Sequence, residues 1–225
     1  MTARRAILVL AALVAGCHLA LAQANGQARP KAHTLFPPTD LGLLETPDRD
    51  IWQKPDQIMD ALGIADGSKV ADIGAGGGYF TVRLSRRVGP NGIVWAEDVQ
   101  PAMLEAIKRR VERDVSKDIH NVRTVEGTVS DPMLPAGSVD AVIILETYQE
   151  IQYGNPVLFL ENVRKALREG GRVGIIDYKK GSGGPGPDSG RPDPETIIST
   201  AGKAGLRLLK RETFLPFQFF LIFVK

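Results

Sequence analysis

The sequence predicts an α/β fold, a doubly wound and mostly parallel sheet of seven strands with an antiparallel C-terminal hairpin, and three observations support this. First, short apolar segments alternate with helical patterns from Asp56 onward, which is typical of a parallel sheet with helices on both faces. Second, a glycine-rich turn at Gly74–Gly78 follows the first apolar segment. Third, two apolar runs on either side of Pro216 end the chain and would pair as a hairpin.

Five apolar segments are expected to form the parallel strands. They are Lys69–Ile73, Ile93–Ala96, Val122–Val125, Val139–Leu145 and Arg172–Asp177. The fourth is an almost continuous apolar run, as expected of a central strand that is buried on both faces. The hairpin strands are Leu206–Leu209 and Phe219–Val224.

Helices are predicted between these strands because apolar residues recur three or four positions apart. Pro55 suits the first turn of a helix that carries Ile58 and Leu62 on one face and ends at Gly63. Four more helices are expected: one with Phe80, Leu84 and Val88, one that begins at Pro101, one with Leu160, Val163 and Leu167 that stops at Gly170-Gly171, and one that begins at Asp193-Pro194.

The composition is that of one globular domain with additional segments. The chain has 225 residues, of which 43% are hydrophobic and 24% charged. Its formal net charge is +2 and falls to near zero without Arg4 and Arg5, so we expect no nucleic-acid partner. One cysteine and three scattered histidines give no basis for a disulfide, a metal centre or a Ser-His-Asp triad.

The first 22 residues have the pattern of a secretory signal peptide. Arg4 and Arg5 precede the apolar stretch Ala6–Gly16, and small residues follow. Two cleavage sites fit this pattern: Ala20-Leu21-Ala22 for an ordinary signal peptidase, and a lipobox ending at Cys17, which would leave Cys17 as a lipid anchor. We expect an exported, periplasmic protein, with an anchored lipoprotein as the alternative.

The remaining chain divides into a lead-in and a domain. The apolar stretch of the leader is just shorter than the about 20 residues that a spanning helix needs, so no stable membrane span is expected after cleavage. Residues 23–50 lack periodicity and are interpreted as a flexible lead-in, and residues 51–225 as the folded domain.

The densest motif is the strand and turn that contain Asp72, Gly74, Gly76 and Gly78. Glycines let the backbone turn sharply and bring N–H groups close to a ligand at a helix N-terminus. Tyr79 stands where the dinucleotide-binding pattern requires its last glycine, so the motif departs from that pattern. An Asp two residues before Gly-x-Gly-x-Gly resembles motif I of the class I S-adenosylmethionine methyltransferases.

An acidic residue at the end of the next strand extends this resemblance. Trp95–Leu104 is similar to the family's strand-end acid followed by a Pro-x-Met-Leu helix start. The resemblance implies that S-adenosyl-L-methionine is the cofactor, bound by the Asp72–Gly78 motif. It also implies that Asp98, with Glu97 as the alternative, binds the ribose hydroxyls. Thr128 stands where the family usually has the Asp that meets the adenine amino group, and Asp131 is the alternative contact there.

The resemblance extends from about Trp52 to the C-terminus, because Leu134–Val142 and Leu167–Val173 are similar to the family's entries into strands four and five. It implies a methyltransferase that acts on a small-molecule substrate. The transferred methyl group would face the ends of these two strands, so Glu146 and Tyr148 are the candidate catalytic residues. Asp50–Gln53 is a candidate cover for the cofactor. The alternative function is an exported protein that binds S-adenosylmethionine without catalysis, because that cofactor is made in the cytoplasm.

Overall fold

The computed structural model describes residues 35–44, 46–113, 120–184 and 188–225. The predicted signal peptide, Cys17 and residues 23–34 of the lead-in lie outside the described residues. The second half of the lead-in contains a short 3-10 helix, Pro38–Leu44, and the start of the first α-helix. Within the described ranges, no helix combines the length and the apolar character that crossing a membrane requires.

Seven strands form one sheet. They are β1 (Lys69–Ile73), β2 (Ile93–Asp98), β3 (Val122–Glu126), β4 (Val139–Leu145), β5 (Leu167–Tyr178), β6 (Arg207–Glu212) and β7 (Gln218–Val224). Their order is β3-β2-β1-β4-β5-β7-β6, with β1 to β5 parallel and β7 antiparallel to both neighbours. This topology confirms the predicted fold class. The strand order reverses between β1 and β4, and ligands bind at the carboxyl ends of strands at such a point.

The described ranges contain seven α-helices. They are α1 (Arg49–Gln53), α2 (Pro55–Leu62), α3 (Tyr79–Val88), α4 (Pro101–Arg113), α5 (Tyr148–Ile151), α6 (Pro156–Ala166) and α7 (Pro194–Lys203). The predicted helix starts at Pro55 and Asp193-Pro194 are confirmed, and the Asp193 carboxylate accepts from Thr196 N as an N-cap. The 3-10 helix, α1 and α5 were not predicted, because segments of four to seven residues are too short to show a helical repeat.

The boundary between α6 and β5 differs from the prediction. Leu167 was expected in the helix and the strand was expected to begin at Arg172, but α6 ends at Ala166 and β5 begins at Leu167. Leu167 pairs with Val139, and the register then shifts before Ala141 pairs with Arg172. The Gly170-Gly171 pair therefore lies in an irregularity of the strand instead of ending the helix, since Gly170 adopts a φ of 74° that suits such a feature.

The central strand β4 connects two apolar layers. Val142 and Ile144 pack on one face against Leu160 and other residues of α6, and Ile143 packs on the opposite face in the layer that includes α2 and α3. Because both faces of β4 are covered, its register is fixed, and so is the position of the polar residues that follow it.

Candidate cofactor and acceptor site

The glycine loop leaves β1 at Gly74 and enters α3 at Tyr79. Gly74, Gly76 and Gly78 have φ values of 66°, 53° and 81°, which residues with side chains rarely adopt. A Cβ atom on Gly74 would overlap the Thr147 side chain, whereas a Cβ atom on Gly76 would meet nothing within 4 Å. The loop thus packs closely against the end of β4 at Gly74 and borders open space at Gly76.

Two adjacent carboxyl groups at the end of β2 hold this loop. Gly76 N donates to Asp98 Oδ2 at 3.0 Å, and Gly74 N donates to Glu97 Oε2 at 3.3 Å. Gln100 N donates to the other oxygen of Asp98 at 2.9 Å. Burial raises the pKa of Asp98, although these backbone donors oppose the shift. The structure therefore brings Asp98 and Gly76, two of the predicted cofactor residues, into direct contact.

Asp72 lies beneath the loop and contacts α3. Its Oδ2 accepts a hydrogen bond from Thr81 Oγ1 at 2.7 Å. Burial raises the pKa of Asp72 to about 6, and the nearby Asp98 carboxylate acts in the same direction. Asp72 thus fixes the start of α3 relative to β1, which is a supporting position for the loop.

Thr128 forms a turn at the carboxyl end of β3. Thr128 Oγ1 accepts from Asp131 N at 3.0 Å, and the two residues form an isolated backbone bridge. The Asp131 carboxylate accepts from Met133 N at 2.8 Å. Both side chains cap this turn, and an adenine contact by either one remains a prediction.

Glu146 lies at the carboxyl end of β4 with a φ of 56°, inside a network of three donors. Tyr178 Oη donates to Glu146 Oε1 at 2.9 Å, and Gln218 Nε2 donates to the same oxygen at 2.7 Å. The Arg49 guanidinium forms an ion pair with Oε2 at 3.2 Å. Because each oxygen has a donor, this side chain is held in one position.

Tyr148 lies in the apolar core, although it was predicted as a catalytic residue together with Glu146. Its side chain is 2% exposed and packs in the cluster that includes Ile151 and Ile197. Burial raises the pKa of its hydroxyl group. The spacing of Tyr148 and Ile151, three residues apart on one helix face, was the sequence signal for this core position.

The helix α1 contains the predicted cofactor cover, Asp50–Gln53, and adds Arg49, which the sequence did not identify as a site residue. Arg49 is buried, and its guanidinium lies 4.0 Å from the centre of the Tyr79 ring. Gln53 Nε2 donates to Gln218 Oε1 at 2.6 Å. Arg49 and Gln218 are 169 positions apart in sequence, so no local pattern could have joined them.

The same helix presents an aromatic residue to β5 and to the turn before β7. The Trp52 ring lies 6.3 Å from the ring of Tyr178 and 5.9 Å from that of Phe217. We call Trp52, Tyr178 and Phe217 the aromatic cluster. Just beyond the carboxyl end of β2, Gln100 Nε2 donates to the backbone oxygen of Phe36 at 3.0 Å. Segment 35–53 therefore contacts the carboxyl edge of the sheet at two places.

Two further carboxyl groups lie near the ends of β4 and β5. Burial raises the pKa of Asp177 to about 7 and that of the half-buried Glu150 to about 7, and the Asp177 charge adds to the shift of Glu150. Asp177 accepts from Tyr178 N at 2.8 Å and from Gln149 N at 3.3 Å. Asp177 is fully buried, whereas Glu150 is partly exposed.

The residues around the glycine loop and at the carboxyl ends of β2, β4 and β5 fit S-adenosylmethionine. The Asp98 carboxylate offers the acceptor oxygens that ribose hydroxyls need, and the space beside Gly76 admits a ligand. The acidic groups Asp98, Glu146 and Asp177 suit a cationic sulfonium. Among the described side chains, no group of three or more His, Cys, Asp or Glu residues is placed to hold a metal ion.

Comparisons with known proteins give the class of protein that this chain resembles. Residues 70–171 match a protein family described as a methyltransferase domain. The ubiquinone/menaquinone biosynthesis C-methyltransferase UbiE of Idiomarina loihiensis is 31% identical over 133 residues, which are 58% of this chain and 49% of that protein. The demethylmenaquinone methyltransferase of Staphylococcus aureus is 28% identical over 127 residues, 56% of this chain and 49% of that protein. The chain thus spans about half the length of the curated relatives it matches.

Solved structures give the same result for the fold. A SAM-dependent methyltransferase from Aquifex aeolicus superimposes with a TM-score of 0.76 and 25% identity, over 84% of this chain and 98% of that one. Aeropyrum pernix fibrillarin, solved with natively bound S-adenosyl-L-methionine, has a TM-score of 0.54 and 18% identity, over 72% of this chain and 68% of that one. The chain therefore has the class I, Rossmann-like methyltransferase fold, and the match of residues 70–171 to a methyltransferase domain supports S-adenosyl-L-methionine as its cofactor.

Proposed function

We propose that this protein transfers a methyl group from S-adenosylmethionine to a small-molecule acceptor that binds beside the aromatic cluster. One observation carries the proposal: the glycine loop held by Asp98 and the Glu146 network lie at the same carboxyl edge of the sheet. The two are linked through Thr147, whose side chain packs against Gly74. A donor site and an acceptor site are thereby adjacent, which a methyl transfer requires.

When bound, S-adenosylmethionine supplies an electrophilic methyl group, and the chain's own residues then have three tasks. Asp98 and the loop hold the adenosine end, because carboxylate oxygens accept from ribose hydroxyls. Glu146 provides a fixed negative charge near the cationic end, and its three donors keep it in place. Trp52 and the rest of the aromatic cluster exclude water. If the acceptor must lose a proton, Asp177 and Glu150 are the candidate proton acceptors.

The aromatic cluster favours an acceptor with a planar ring. The Trp52 ring centre lies within 6.3 Å of the ring centres of both Tyr178 and Phe217, and these three rings offer faces and edges for stacking. The names of the UbiE and demethylmenaquinone relatives refer to quinone methylation, and this supports a ring-containing small molecule as the acceptor. We therefore propose a ring compound with a nucleophilic carbon or hydroxyl oxygen as the acceptor class.

Isothermal titration calorimetry of the full chain with S-adenosylmethionine tests the cofactor site, and Asp98→Ala is the informative variant. We expect micromolar binding by the wild type and at least a tenfold weaker affinity for Asp98→Ala. Glu105→Ala removes an exposed carboxylate on α4 and is the matched control, for which the affinity should be unchanged. Absence of wild-type binding at millimolar cofactor would overturn the proposal.

Catalysis is tested by transfer of a labelled methyl group to a panel of phenols, hydroquinones and amines. We expect transfer to ring compounds and a much weaker signal with aliphatic amines. Trp52→Ala should raise KM for the ring acceptor while leaving cofactor affinity unchanged. Cofactor binding without transfer to any acceptor would instead support the alternative function, a non-catalytic binding protein. That alternative is favoured by Thr128, which forms a hydrogen-bonded turn where the family usually has the adenine-binding Asp.

We also propose that the protein is exported, with residues 1–22 removed as a signal peptide. The basic start, the apolar stretch and the small residues before Gln23 support this. Mass spectrometry of the mature N-terminus from fractionated cells distinguishes a start at Gln23 from a lipidated Cys17. An intact Met1 in the cytoplasmic fraction would overturn the proposal.

A further inference from the structure

Glu97, the alternative ribose-binding acid of the sequence prediction, is a buried acid to which the catalytic scheme assigns no role. Its side chain is 2% exposed at the end of β2, beside the ribose-binding candidate Asp98. One carboxyl oxygen, Oε2, accepts from Gly74 N, while the other, Oε1, has no hydrogen-bond partner among the described residues. A buried carboxyl oxygen without a partner is costly, and it is far more costly if the group is ionised.

Among the described residues, the compensation found for a negative charge on Glu97 is the N–H group of Gly74. Its direct neighbours in the sheet are Ile73 on β1 and Val125 on β3, whose side chains share its face. The charged groups that act on it are all carboxylates: Asp72 from β1, Asp98 from β2 and Asp131 from the turn after β3. Burial first, and then these three charges, raise the pKa of Glu97 to about 8.

The space around the carboxyl group is also closed. A Cβ atom on Gly127, which directly follows β3, would overlap Glu97 Oε1. An ionised Glu97 would need water at this oxygen, and water would have to separate Gly127 from β2. The same carboxyl group receives Gly74 N, and the Glu97 backbone oxygen accepts from Ala75 N at 2.9 Å. Any displacement of Glu97 is therefore transmitted to the first turn of the glycine loop.

We propose that Glu97 acts in its neutral, protonated form as a positioning residue for the cofactor loop. In that form Oε2 accepts from Gly74 N as a carbonyl oxygen, and the proton on Oε1 removes the charge from the oxygen that has no hydrogen-bond partner among the described residues. Deprotonation of Glu97 disturbs this contact with Gly74, and the affinity of the loop for the cofactor falls as a result. The inference rests on the proposed cofactor site, but it concerns a residue that does not itself need to touch the cofactor.

The test compares the wild type, Glu97→Gln and Glu97→Leu. The probe is S-adenosylhomocysteine, because this product of methyl transfer is stable in alkali. For the wild type we expect about a tenfold rise in Kd between pH 7 and pH 9, since about one tenth of a group with a pKa near 8 is protonated one unit above it. Glu97→Gln mimics the neutral acid and should keep its pH 7 affinity with no such rise. Glu97→Leu, which offers no acceptor to Gly74 N, should bind at least tenfold more weakly at both pH values.

The ratio of the wild-type Kd to the Glu97→Gln Kd is the quantity to compare, because the ligand's own amino group titrates equally in both experiments. A ratio that stays constant from pH 6 to pH 9.5, which means that the Kd values of the two proteins have the same pH dependence, would overturn the inference.

Thermal unfolding without ligand separates this inference from the proposed function. A pKa raised from 4.5 to about 8 means that the folded wild type loses stability as pH rises through that interval, because the unfolded chain releases the proton first. The Tm of Glu97→Gln minus the Tm of the wild type should therefore grow between pH 5 and pH 8. If neither protein binds S-adenosylhomocysteine, the cofactor assignment fails, while a Tm difference that does not change with pH refutes the neutral state of Glu97.

Discussion

Replacing Gly74 by alanine should destabilise the fold much more than the same change at Gly76. Both residues have left-handed φ values, 66° and 53°, and alanine in that region costs about 1–2 kcal/mol. At Gly76 the new methyl group meets nothing within 4 Å, so this backbone cost is the whole effect. At Gly74 the methyl group would overlap Thr147 Oγ1 and Cγ2 and lie 2.9 Å from Thr147 Cβ.

The additional cost at Gly74 follows from what Thr147 must give up. Its hydroxyl donates to the backbone oxygen of Leu145 at 3.0 Å, and rotation of the side chain would break this bond. Overpacking costs about 1–3 kcal/mol, and the lost hydrogen bond about 1 kcal/mol. We therefore expect Gly74→Ala to lower the free energy of unfolding by about 4 kcal/mol, against about 1 kcal/mol for Gly76→Ala.

Urea unfolding followed by circular dichroism measures both values, and a double-mutant cycle with Thr147→Ala identifies their cause. Thr147→Ala removes the two overlapping atoms, so Gly74→Ala should cost about 2 kcal/mol less in that background. Equal destabilisation by the two single glycine substitutions would refute the reasoning, as would a Gly74→Ala cost that Thr147→Ala does not reduce.

Three further predictions concern single side chains. Asp98→Asn leaves only one acceptor oxygen for two backbone donors and the ribose, so calorimetry should show at least tenfold weaker S-adenosylmethionine binding at pH 7 with little loss of Tm; unchanged affinity would exclude Asp98 from the cofactor site. Tyr148→Phe removes only the hydroxyl group of a side chain that packs in the apolar core, so it should change the free energy of unfolding by about 1 kcal/mol at most and keep methyl transfer within about twofold; a hundredfold lower kcat would give the hydroxyl a chemical role. Arg49→Met leaves the Glu146 carboxylate without its cation at a buried site and should cost about 3 kcal/mol in urea unfolding; a cost below about 1 kcal/mol would mean that the ion pair is loosely held.

The parts of the site that the sequence predicted lie on local motifs. The Gly74–Gly78 turn and the acid at the end of β2 are encoded within a few residues of a strand end, where the apolar pattern fixes the strand. The same holds for Glu146, which directly follows the apolar strand β4. The catalytic role of Tyr148 stays a prediction, and the structure places its side chain in the core with Ile151 and Ile197, because residues at a strand end can point either towards the site or into the core.

The sequence by itself determined the order of strands and helices, the parallel sheet with its C-terminal hairpin, and the glycine loop with Asp98. Hydrophobic periodicity and glycine placement act over short distances along the chain, so they can be recognised without a structure. Only the tertiary structure decided which groups complete the site. Arg49 and Gln218 meet at Glu146 because α1 folds over the ends of β4, β5 and β7, and the pKa of Glu97 is raised because the sheet buries it close to other carboxylates. Ion pairs and pKa values depend on distances and burial that only the folded chain defines.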